Sequence, residues 1–141
     1  MREVIVRSKE GKFAQDITVG DHRILADEEK SAGGDDSGAG PHELLLAALG
    51  ACTSMTLRMY AERKGWALRS VQVNLTGETV DGKFTIARHL TLDGDLDAEQ
   101  RLRLSDIAAK CPVHRTLTSG AVVNTTEGGV LSAAQHMVDR A

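Results

Sequence analysis

From Pro41 to Lys64 the chain reads PHELLLAALGACTSMTLRMYAERK, and no other segment limits the possible folds as strongly. Pro41 suits the first turn of a helix, where its missing N–H costs nothing, and Gly65 stands where a C-cap belongs. At about 1.5 Å per residue this helix would run about 35 Å, comparable with a whole small domain. Through Leu44, Leu45, Leu46, Ala47, Ala48, Leu49 and Ala51 it is apolar on every side, so it must be covered on every side. A single small sheet covers one side only. A second copy of the chain on the other side, and hence a homodimer, is expected.

The 141 residues fit one compact domain spanning 1–141. Aromatic residues are only 3%, so the core has to be built from Leu, Val, Ile and Ala. The net charge of -3, with both signs interspersed, leaves no basic stripe to follow a phosphate backbone, and nucleic acid is excluded as a partner. The opening MREVIVRSKEGKF carries charges where a signal peptide needs an apolar stretch. The longest apolar or glycine run, Leu44 to Cys52, has nine residues, against the roughly 20 of a membrane span. A soluble cytoplasmic protein with no membrane partner is expected.

The remaining pattern is α+β. Glu3 to Arg7, Phe13 to Val19 and Ile24 to Ala26 read as short strands separated by Glu10-Gly11 and Gly20-Asp21. DEEKSAGGDDSGAG follows as an acidic, glycine-rich and mobile surface loop; without a Gly-Lys-Ser/Thr ending it is no phosphate cradle. Val71, Val73 and Leu75 alternate with polar residues, and Phe84, Ile86, Leu90 and Leu92 continue the alternation across a turn at Asp81-Gly82. Arg88 breaks it from the apolar phase, which is read as a bulge or an edge strand with a snorkelling stem. Asp97 and Gln100 form a capping box for a second helix. Its apolar face is Leu104, Ile107, Ala108 and Cys111, which points Cys111 into the core. Pro112 to Leu117 reads as a short helix, Ala121 to Thr125 as a last strand, and the tail from Gly128 as a weakly patterned end.

The chemistry rests on two cysteines, Cys52 and Cys111, 59 positions apart. In a reducing compartment such a pair is catalytic, redox-sensing or metal-binding before it is a staple. The thiolate is the nucleophile, and a mid-helix Cys52 has no unpaired backbone N–H to support it, so a cation brought in by the fold is required. Arg23, Arg88 and Arg115 are the candidates, and the sequence does not choose among them. Cys111 lies between the end of one helix, which disfavours its anion, and the start of another, which favours it. The alternative is that both are buried small hydrophobes.

PHELLLAALGACTSMTLRMYAERKGW together with GDLDAEQRLRLSDIAAKCPVHRTL resembles the OsmC/Ohr family of bacterial thiol-dependent peroxidases, and HRILADE with its glycine-rich loop resembles the OsmC-like branch. The similarity runs from about Ile17 to Thr125. It implies an α+β, intertwined homodimer with long central helices packed against antiparallel sheets. It also implies reduction of organic or fatty-acid-type hydroperoxides without a metal or organic cofactor. By this resemblance Cys52 is the peroxidatic thiol and Cys111 the resolving one: a Cys52 sulfenic acid condenses with Cys111 into a disulfide, which a dithiol reductant reopens.

Better-known members place an arginine in a glycine-rich N-terminal turn. That motif is missing here, and Arg23 in GDHRIL takes the role by position alone. The family's glutamate near the start of the central helix is matched by Glu43, nine residues before Cys52. Nine residues turn a helix by about 900°, which puts Glu43 on the opposite face, where it would anchor an arginine or cap the helix. Two readings from other classes compete: an acyl-binding module with an apolar cleft at the dimer interface, and a metal protein using Cys52, Cys111 and His114.

Overall fold

The computed structural model describes residues 1–129. The described residues form a mixed α+β structure of two antiparallel sheets, three α-helices and a short 3-10 helix at Lys30–Ala32. Strands β1 (Val4–Ser8), β2 (Gln15–Val19) and β3 (His22–Ala26) form a meander in the order β1-β2-β3. Helix α1 covers Pro41–Lys64, the span expected from Pro41 and Gly65, and Gly65 closes it at φ 69° with its N–H bonded to the Ala61 and Glu62 carbonyls. Strands β4 (Ala67–Val80) and β5 (Lys83–Asp95) form one long hairpin. Its turn is Asp81-Gly82, with φ 51° and 77°, the two left-handed residues that let a two-residue connection follow the strand twist. Helices α2 (Ala98–Ala108) and α3 (Pro112–Ser119) complete the described chain.

The core lies where the second half of α1 and helix α2 close over the hairpin. Leu57, Ala61, Leu104, Ile107 and Ala108 are its buried members, with Trp66, Val71, Leu90 and Leu92 packed against them. Helix α2 starts as the capping box predicts: Asp97 accepts from the Gln100 N–H at 2.7 Å and Gln100 from the Asp97 N–H at 2.9 Å. A Cβ on Gly50 would lie 2.8 Å from Leu75, so glycine there allows α1 to approach β4 closely enough to seat the residues that follow.

Helix α1 is also long and apolar enough to cross a bilayer by length and composition. One side of it is buried through Leu49, Thr53, Leu57 and Ala61. The other carries Ala48, Ala51, Met55 and Met59, with the two methionines 60% and 62% exposed. The meander has the same character. Val6, Ile17 and Ile24 stand in register across its three strands, and Val6 and Ile24 are exposed.

Two expectations are corrected here, the strand at Ala121 to Thr125 and the mobile loop. Ala121 to Thr125 is not a strand; residues 120–129 are irregular, and neither described sheet pairs with this segment. The weakly patterned tail lies outside the described residues apart from Gly128 and Gly129. The acidic glycine-rich loop is built rather than free. Asp27, 2% exposed, accepts from the N–H groups of Glu28 (2.7 Å), Asp35 (3.3 Å) and Ser37 (3.1 Å) and from the Ser37 hydroxyl (2.7 Å). Gly34 and Gly38 fit only because a Cβ on either would strike the backbone of Glu28 or Leu25.

The Ser37 hydroxyl first, and then the backbone N–H groups, hold the Asp27 carboxyl below its ordinary value against the opposing effect of burial. Its stabilising contribution is complete above the unfolded-state value of about 3.9 and is lost as pH falls through the lower folded value. Asp27→Asn is therefore expected to have a lower Tm than the wild type at pH 7 and to converge with it in acid, once the pH has fallen through the lowered folded-state value. Parallel Tm–pH curves in calorimetry would contradict this assignment.

Candidate active site

The middle of α1 carries the first thiol. Cys52 is half-buried and free, and Thr53 beside it is fully buried. The Thr53 hydroxyl donates to the Leu49 carbonyl at 2.7 Å, which fixes its rotamer and leaves its oxygen free to accept. The second thiol stands at the start of α3. Cys111 is fully buried, with extended backbone (φ −68°, ψ 141°), as a residue before proline prefers. Helix α2 stops at Ala108, so Cys111 caps α3 rather than closing α2: its Sγ accepts from the His114 N–H at 3.3 Å.

Arg88 joins the two helices. Its Nη1 donates to Thr53 Oγ1 at 3.1 Å, and its Nη2 lies 3.1 Å from His114 Nδ1. A guanidinium only donates, so Nδ1 accepts and the neutral ring carries its proton on Nε2. His114 and Arg88 thus link the two helices: the His114 backbone N–H reaches Cys111 Sγ, its ring meets Arg88, and Arg88 reaches Thr53, the residue next to Cys52. Beside it opens a cavity of about 310 Å³ lined by Leu49, Phe84, Ile86 and Leu117 together with Lys83, Arg88, His114 and Thr118. Its walls combine aliphatic and aromatic side chains with two cations, an imidazole and a hydroxyl. Such a site suits a small apolar molecule bearing one polar, electron-rich group.

Of the two readings of Arg88, the edge strand holds, since β5 belongs to a two-stranded sheet, and the bulge fails. There is no bulge at Arg88; the register shift of this hairpin falls at Leu68/Ser70. Arg88 keeps the inward phase of Ile86 and Leu90 and reaches α1 and α3 from the sheet. The signal was its charge in an apolar phase.

The structure places Arg23 on the meander, forked onto Asp16 at 2.9 and 3.3 Å. Arg23 first, with Lys9 adding to it, holds the Asp16 carboxyl below its ordinary range. The Arg23 charge is committed to that pair within its own chain. Glu43 caps α1, accepting from the Gly40 N–H at 2.8 Å. Arg115 is exposed on α3. Among the described residues no group of three His, Cys, Asp or Glu side chains is gathered to hold a metal, so Cys52, Cys111 and His114 form no ligand set.

The architecture is that of a small α+β protein with one thiol on a long central helix and a second at the start of a helix facing it. A family model described as OsmC-like protein matches residues 34–126. The chain belongs to the OsmC-like family. The OsmC-like protein from Mycoplasma pneumoniae has 24% sequence identity and a TM-score of 0.73, over 84% of this chain and 87% of that one. The organic hydroperoxide resistance protein OhrB of Bacillus subtilis has 26% identity and a TM-score of 0.55, over 82% of this chain and 89% of that one. An organic hydroperoxide resistance protein OsmC from Legionella pneumophila has 20% identity and a TM-score of 0.61, over 82% and 88%. Among curated proteins none matches.

Proposed function

We propose that the chain is a thiol-dependent peroxidase for organic hydroperoxides, acting as a homodimer. The observation that carries the reading is the link that His114 and Arg88 make between Cys111 and the residue beside Cys52, next to that cavity. Membership of the OsmC-like family and likeness to proteins named for organic hydroperoxide resistance support it. The uncovered methionine face of α1 and the uncovered meander support the dimer, since each is an apolar surface that a second copy would bury.

In the proposed cycle the Cys52 thiolate attacks the distal oxygen of the hydroperoxide. A sulfur–oxygen bond forms, the O–O bond breaks, and the alkoxide leaves and takes a proton from water to become the alcohol. The Cys52 sulfenic acid then condenses with the Cys111 thiol, releasing water and forming the disulfide. A dithiol reductant returns both sulfurs to thiols by exchange. Glu43 serves through the helix start that it caps. Arg23 would reach a thiol only from the meander of the partner chain. The cavity lining favours organic over hydrogen peroxide, because alkyl burial contributes about 0.8 kcal/mol per CH₂.

The test is stopped-flow oxidation of the reduced protein by tert-butyl hydroperoxide and by hydrogen peroxide, followed by peptide mass spectrometry without reductant. Faster reaction with the organic peroxide, by on the order of tenfold or more, and one Cys52–Cys111 link within each chain are expected. Equally slow reaction with both, leaving both thiols free, would point instead to a binding module.

A further inference from the structure

Arg88 has an unusual environment for a cation. It is half-buried on the inner face of the hairpin, and its hydrogen-bond partners are the Thr53 hydroxyl oxygen and the His114 ring nitrogen, both neutral. Among the described residues no carboxylate forms an ion pair with it, whereas Arg23 and Arg69 have Asp16 and Asp93. Withdrawing a guanidinium from water without an anion is costly. Two neutral acceptors fix its plane but leave its charge uncompensated and further N–H groups unused. That combination is suited to a negative charge that appears only during reaction.

The α1 residue that Arg88 holds, Thr53, follows Cys52 directly in the chain, and the Cα atoms of two such neighbours are about 3.8 Å apart. We infer that Arg88 is the catalytic cation of this site, with Thr53 and His114 as its positioning residues. The inference rests on the peroxidase reading and adds to it the group that the missing N-terminal arginine motif leaves unassigned. Arg88 stabilises negative charge on the attacking sulfur and on the alkoxide leaving the broken O–O bond. Thr53 serves as an acceptor because its own proton is committed to the Leu49 carbonyl. His114 serves through Nδ1 in its Nε2–H form. Its backbone N–H simultaneously holds Cys111 Sγ, so one residue sets both the cation and the second thiol.

The experiment measures single-turnover oxidation of the reduced full-length protein by tert-butyl hydroperoxide, with iodoacetamide alkylation of Cys52 measured in parallel. Arg88→Gln is expected to slow oxidation about 100-fold and to slow alkylation as well, with Arg88→Lys intermediate. His114→Leu and Thr53→Val, which leave Arg88 in place, are expected to slow oxidation roughly tenfold through its displacement. His114→Asn should restore the wild-type rate, because its amide oxygen can take the position of Nδ1. That rescue separates positioning from mere packing. Circular dichroism and Tm confirm that each variant is folded.

Oxidation of Arg88→Gln within threefold of the wild type would overturn the assignment. If Arg88→Gln does not fold, the His114 pair decides: equal loss in His114→Asn and His114→Leu overturns it, and rescue by asparagine alone upholds it. Failure of the peroxidase reading is distinguishable. A wild type inert to hydroperoxide whose Cys52 alkylation still depends on Arg88 would refute the reaction while retaining the cation's assignment to Cys52.

Discussion

Serine in place of Cys52 is expected to reduce hydroperoxide consumption to the uncatalysed background, a loss on the order of 10³-fold or more, as removal of an enzyme nucleophile does. Serine in place of Cys111 is expected to do something different. The first equivalent of hydroperoxide should still react, leaving Cys52 as a sulfenic acid that dimedone traps, and turnover should then stop. The difference follows from the separate positions of the two sulfurs. Cys52 is half-buried on α1, while Cys111 is fully buried as the cap of α3. Continued turnover of Cys111→Ser would show that an external thiol resolves the sulfenic acid. Undiminished consumption by Cys52→Ser would remove the peroxidase proposal altogether.

The second large effect concerns assembly. Met55 and Met59 stand one helical turn apart on the uncovered side of α1. If two copies meet there, glutamates at both positions would place four carboxylates in an apolar interface. Their desolvation and mutual repulsion cost several kcal/mol, enough to raise the dimer dissociation constant at least about 100-fold. Light scattering is expected to give twice the 15.1 kDa of one chain for the wild type. The Met55→Glu/Met59→Glu variant should give a single chain. A variant that keeps the doubled mass would move the interface to another surface, and a monomeric wild type would refute the dimer.

Much of the fold was legible because its boundaries are written in local chemistry. Pro41 and Gly65 set the ends of α1, Asp97 and Gln100 start α2, and Asp81-Gly82 turns the hairpin. Each depends on a few neighbouring residues, as capping and turn preferences do. Ala121 to Thr125 misled for the complementary reason. Its β-branched Val122, Val123 and Thr125 suit a strand, but a strand exists only with a partner, and the described sheets pair elsewhere. The glycine-rich loop misled because composition suggests freedom. Asp27 and Ser37, ten positions apart, hold it closed.

The site divides along the same line. Sequence alone marked Cys52 and Cys111 as the residues with chemistry to offer and Glu43 as a possible helix cap. It also exposed α1 as a helix too apolar to stand uncovered. It did not select the arginine. The partners of each arginine belong to tertiary structure: Arg88 meets Thr53 and His114 across separations of 35 and 26 residues, and Arg23 pairs with Asp16. Caps and turns are short-range, so they survive in the order of residues. The partners of a charge depend on which elements the folded core holds side by side.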